Sequence, residues 1–110
     1  MTTVTFYQNH DSICVGFRSE GHAGYAEAGE DIVCAAVSAL VITAVNSLEK
    51  LTDDEFISSE DEENAVIQVS FPGTPGKEAS LLMEALKIGL QGICEDEDTK
   101  KYIRLIFREV

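Results

Sequence analysis

The sequence predicts an α+β fold: a two-layer sandwich, with a largely antiparallel sheet covered by two helices in the order β-β-α-β-β-α-β. Three observations lead there. Short runs of β-branched and aromatic residues are joined by brief polar stretches, the pattern of hairpins. Two long Pro-free segments carry apolar residues with helical character. The 110 residues, 45% hydrophobic and 25% charged, fit one domain, 1–110, and leave no room for a second.

Val4 to Gln8 reads as the first strand, and Asn9-His10-Asp11 as a turn. Ser12 to Arg18 is the second strand, with Ile13, Val15 and Phe17 expected on one face and Cys14, Gly16 and Arg18 on the other. Gly21 to Glu30 (GHAGYAEAGE) has three glycines and no apolar period, and reads as a loop. Residues 31 to 51 hold no Gly or Pro, begin with an acid and end near Lys50, as a helix dipole prefers. Apolar residues lie nearly all round the first three turns, which predicts a central buried helix.

Residues 52 to 63 carry seven acids around Phe56-Ile57 and suggest a short exposed strand or an irregular segment. Ala65 to Phe71 is a clearer strand, closed by PGTPG. Lys77 to Cys94 repeats Leu81, Leu82, Ala85, Leu86, Leu90 and Ile93 at spacings of three and four, a second helix. The acids at 95 to 98 close it poorly, because they oppose the dipole. The last strand, Lys101 to Val110, sets Ile103, Leu105 and Phe107 against Tyr102, Arg104 and Arg108.

Charge and cysteine usage narrow the function. A net charge of −12 argues against direct nucleic-acid binding, which needs clustered Lys and Arg. It leaves room for a basic protein or peptide as partner, since opposite charge speeds encounter. Three cysteines without a CxxC make neither a disulfide framework nor a zinc site, so no metal and no cofactor are expected. The N-terminus lacks a signal-peptide pattern, and the apolar stretch Ile32 to Val45 is shorter than the ~20 residues of a membrane span. A cytoplasmic protein without a membrane segment is expected. The acidic runs at 52–63 and 95–98 lack the order of a calcium loop and read as solvated charge.

Cys34 is the most informative residue. With a helix starting near Asp31, it falls in the first turn, where free N–H groups stabilise a thiolate and an oxyanion. His22, twelve residues upstream in a glycine-bearing loop, is a candidate base and acid. The structural alternative is a core thiol with a solvated histidine, since unpaired Cys is among the most buried residue types. Asp31 is a candidate to orient His22 or cap the helix. Ser38, one turn after Cys34, is a candidate supporting residue, although serines in helices usually bond the preceding turn. No Lys-Ser/Thr follows Gly21, Gly24 and Gly29, so they do not form a P-loop. They read instead as hinges of a mobile lid over Ala23 to Glu30. Cys14 and Cys94 look structural or incidental, and His10, in the turn, reads as solvated.

The run from Gly21 to Leu40, GHAGYAEAGEDIVCAAVSAL, resembles the signature of the bacterial ribosomal-processing cysteine proteases, the Prp family. The shared elements are Gly21-His22, Gly29, Asp31-Ile32-Val33-Cys34-Ala35 and Ser38. Length and element order agree over the whole chain. The resemblance implies an endopeptidase with Cys34 as nucleophile and His22 as general base and acid. The implied substrate is the N-terminal extension of the twenty-seventh large-subunit ribosomal protein, cut after adjacent phenylalanines. An apolar groove is then expected at the catalytic end, with Tyr25 and Ala26 of the loop among its contributors. The resemblance also implies a homodimer. The rival reading is a non-catalytic, ribosome-associated binding protein.

Overall fold

The computed structural model describes residues 1–21 and 28–110. In chain order the elements are β1 (Thr2–Gln8), β2 (Cys14–Glu20), α1 (Ala28–Leu51), β3 (Ile57–Asp61), β4 (Val66–Ser70), α2 (Lys77–Glu95), a 3-10 turn (Lys100–Tyr102) and β5 (Ile103–Glu109). The five strands form one mixed sheet in the order β3-β4-β2-β1-β5. Among the described residues only the β1–β5 pairing is parallel, because α2 separates β4 from β5 and returns the chain in the direction of β1. The expected α+β element order is the observed one.

The helices pack on each other and on the β1–β5 side of the sheet, around Val4, Phe6, Phe17, Val37, Val41, Leu48, Met83 and Leu90. Phe6 is the hub of the strand side: its ring lies 6.2 Å from Phe17 and 5.8 Å from Phe107. Phe107 keeps 46% of its surface exposed, so the expected β5 face is buried only at its Ile103 end. Strand β3 is exposed throughout and forms one edge of the sheet.

Three expectations change. A bulge at Val15 breaks the alternation of β2: Tyr7 pairs with Gly16, but Gln8 already pairs with Cys14. Cys14 therefore joins Phe17 in the core, and Val15 does not. Gly16 is required there, since a Cβ would meet the Val69 carbonyl oxygen at 2.5 Å. In α2 the buried stripe is Ala79, Met83, Leu86 and Leu90, whereas Leu81 is exposed. The acidic end of α2 closes through Thr99, whose hydroxyl donates to the Ile93 carbonyl at 2.7 Å.

The third change concerns α1. It starts at Ala28 and runs 24 residues, long and apolar enough by length and composition to cross a bilayer. It is not centrally buried as expected. A narrow stripe of Val33, Val37, Val41, Ala44 and Leu48 enters the core, while Ile32, Ala35, Ala36, Ala39 and Ile42 are exposed. A single sheet layer can cover only one side of the cylinder, and α2 flanks a second.

Candidate active site

The early start of α1 relocates Cys34. It lies six residues into the helix, about 9 Å along the axis from Ala28 at ~1.5 Å per residue. It therefore stands beyond the first turn, which holds Glu30 and Asp31. The expected first-turn position of Cys34 is thus corrected to the second turn. A helix can begin this early because Gly29 admits the Tyr102 ring: a Cβ would come within 2.6–2.8 Å of its atoms. Gly29 is a packing glycine in the first turn rather than a hinge of a loop reaching Glu30.

The thiol itself is well placed. Cys34 is half-buried, on the flank of α1 next to the buried Val33 and Val37. A Cβ on Gly21 would stand 3.1 Å from Cys34 Sγ and 3.2 Å from Ala65 Cβ, so the thiol rests on bare backbone. Gly21 follows β2, and its N–H donates to the Ala65 carbonyl at 2.8 Å. Ala65 adopts φ 54°, the left-handed region, at the close of the β3–β4 turn. That turn is pinned by Asp61, whose carboxylate accepts from the Asn64 N–H at 3.2 Å and from Nδ2 at 2.7 Å. These bonds hold the Asp61 carboxyl below its ordinary range.

Cys34 opens onto a cavity of about 200 Å³ between α1 and the β3–β4 hairpin. Ser38, one turn on, lines it, as do Val37, Ile42, Ala65 and Ile67. Its lining is mixed, with an apolar part built from α1 and β4. Its acidic side, Glu60 to Glu62, and its floor residues Thr2 and Ser19 were not singled out from sequence. Pairing of Glu20 with Val66 brings these distant segments together, and no local pattern announces it.

Asp31 is exposed in the first turn of α1, three residues before Cys34 on the neighbouring surface of the helix. Beside it, Glu30 accepts from the N-terminal amine of Met1 at 2.6 Å. His22, Gly24, Tyr25 and Ala26 lie outside the described residues, and with them most of the expected lid. Cys14 and Cys94 do not line the cavity. Burial pushes both thiols up, aided at Cys94 by Glu95. Among the described residues no group of three His, Cys, Asp or Glu side chains could hold a metal ion.

Comparison with known proteins bears on this site. The family described as Cysteine protease Prp matches residues 1–104. A Bacillus subtilis protein named ribosomal processing cysteine protease Prp is 33% identical over 109 residues, covering 96% of each chain. The crystal structure of an essential ribosomal processing protease Prp from S. aureus with a substrate peptide superposes with a TM-score of 0.90 at 29% identity. It covers 98% of this chain and 100% of that one. A second S. aureus Prp structure, carrying a covalently linked product peptide, gives 0.84 at 30% identity with the same coverage.

Proposed function

The chain belongs to the Prp family and is a cysteine protease; on that premise we propose that Cys34 and His22 form its catalytic dyad. The observation that carries this reading is the thiol of Cys34, resting on Gly21 at the wall of a cavity that is apolar on its Val37, Ile42 and Ile67 side. Gly21 is also the residue directly before His22. The Cys34 thiolate attacks the scissile carbonyl carbon, and His22, having taken the thiol proton, returns it to the departing amine. Water deprotonated by His22 then attacks the thioester, releases the carboxylate and regenerates the thiol. Ser38 and Asp31 support the dyad rather than complete it.

The substrate in this reading is the N-terminal extension of the twenty-seventh large-subunit ribosomal protein, in the cytoplasm. Support comes from the relatives' names, from the apolar lining by Val37, Ile42 and Ile67, which suits an aromatic ring, and from the protein's negative charge. The working form is a homodimer. Its support is α1, whose Ala35, Ala36 and Ala39 face solvent in a single copy. The direct test is incubation of the extended ribosomal protein with wild-type enzyme and with Cys34→Ala. Loss of the extension only with wild type is the expected result; cleavage by folded Cys34→Ala overturns the assignment.

A further inference from the structure

The Cys34 cavity has a side that the chemistry of bond cleavage does not use. Glu60, Asp61 and Glu62 line it, all three exposed. Asp61 is occupied by Asn64, but Glu60 and Glu62 have no cation at ion-pair distance among the described residues. A second, independent observation sits across the same cavity. Thr2 is 2% exposed, and its Oγ1 has no hydrogen-bond partner among the described residues. Unpaired buried hydroxyls are rare in folded proteins and call for an explanation. A substrate backbone N–H supplied on binding is one.

The strand register gives these groups a geometry. Thr3 pairs with Glu20, Glu20 with Val66, and Val66 with Asp61. One step further along each strand, Thr2, Gly21, Ala65 and Glu62 form a row across the sheet end. Neighbouring strands lie about 4.8 Å apart, so Gly21, beneath Cys34 Sγ, stands roughly 10 Å from Glu62. An extended peptide advances about 3.3 Å per residue, and that gap equals about three residues. Carboxylates without a cation at this distance select a Lys or Arg side chain, the only ordinary side chains that always bring donors and positive charge.

Resting on the protease reading above, we propose that the acidic side of the cavity is a specificity subsite. Glu60 and Glu62 receive a lysine or arginine about three residues from the scissile bond, and Thr2 Oγ1 holds the substrate backbone on the opposite side. The apolar residues between them leave room for the flanking side chains, so charge and ring recognition are spatially separate. Thr2, Glu60 and Glu62 are specificity-determining residues.

The test uses the intact protein and a set of peptides that keep two adjacent phenylalanines. Each carries lysine, norleucine or glutamate at one of four positions on either side of them. Lysine about three residues from the cut, on one side only, should raise kcat/KM by about fivefold over norleucine, the size expected for partly exposed charge pairs. In Glu60→Gln/Glu62→Gln this ratio should fall to about one, and in Glu60→Lys/Glu62→Lys it should invert in favour of glutamate. Thr2→Val, of equal shape, should melt no lower than wild type yet cut all peptides more slowly through a higher KM. A lysine preference that is missing, or that survives the double glutamine variant, overturns the subsite while leaving the protease intact. If wild type cuts none of the peptides and does not trim the extended ribosomal protein, the catalytic reading itself fails. If it trims that protein but cuts no peptide, recognition lies outside this cavity and the subsite is refuted.

Discussion

Replacing Gly21 by alanine tests whether bare backbone beneath the thiol sets its position. The added Cβ would stand 3.1 Å from Cys34 Sγ and 3.2 Å from Ala65 Cβ. Comfortable carbon contacts begin near 3.5 Å, so both neighbours must yield by a few tenths of an ångström. Ala65 yields poorly, because it sits at φ 54° in a turn held by Asp61 and by the Gly21–Ala65 bond. Overpacking of this kind costs about 1–3 kcal/mol, or roughly 4–20 °C in Tm for a domain of this size. Activity should suffer more than stability. Misplacing a reacting atom by 1 Å costs on the order of 100-fold, so a shift of some tenths predicts a loss on the order of tenfold in kcat. Calorimetry and peptide cleavage, the latter well below both melting points, separate the two effects. Ala65→Gly added to Gly21→Ala should recover stability, since glycine removes both the Cβ contact and the left-handed strain, worth about 1 kcal/mol. It should not recover kcat, because the contact with Sγ remains. A Gly21→Ala protein that melts and cleaves as wild type would show that Gly21 does not position the thiol.

Further outcomes are expected. Iodoacetamide near neutral pH should label Cys34 first, while Cys14 reacts only on unfolding; His22→Ala should slow the Cys34 reaction, and adding it to Cys34→Ala should cost almost nothing more in cleavage. Equal labelling of all three thiols, read by peptide mass mapping, contradicts this. Asp61 adds pH-dependent stability with a definite sign: its carboxyl is lowered by Asn64, so the contribution is complete above its ordinary value near ~3.9 and disappears as pH falls through the lowered one. Asn64→Ala should flatten that part of the acid-stability profile, and an unchanged profile would remove the Asp61–Asn64 pair from the account. Ala39→Glu, on the exposed side of α1, should give monomers by sedimentation if that face pairs two copies; an unaltered dimer places the interface elsewhere.

Element order was legible because hydrophobic period and turn chemistry are local properties of a chain. Cys34 and Ser38, one turn apart, could be recognised as a pair on one helix face without knowing what they faced. The start of α1 was less accessible, because Gly29 opposes a helix by its own propensity and is helical only where Tyr102 fills the space above it. The bulge at Val15 was equally hidden, since an extra residue in β2 has meaning only against the partner residues Tyr7 and Gln8. The acids at 60–62 looked like solvated charge for the same reason: nothing in their neighbours states what lies across the sheet. Local sequence thus determined which segments become strands and helices and which thiol could be a nucleophile. Long-range pairing alone decided that Gly21 supports that thiol, that Thr2 lies buried in its cavity, and that Glu60 and Glu62 stand beside it. The β2–β4 pairing that brings Gly21 to Ala65 joins residues more than forty positions apart, and its free energy exists only once the intervening chain has folded back.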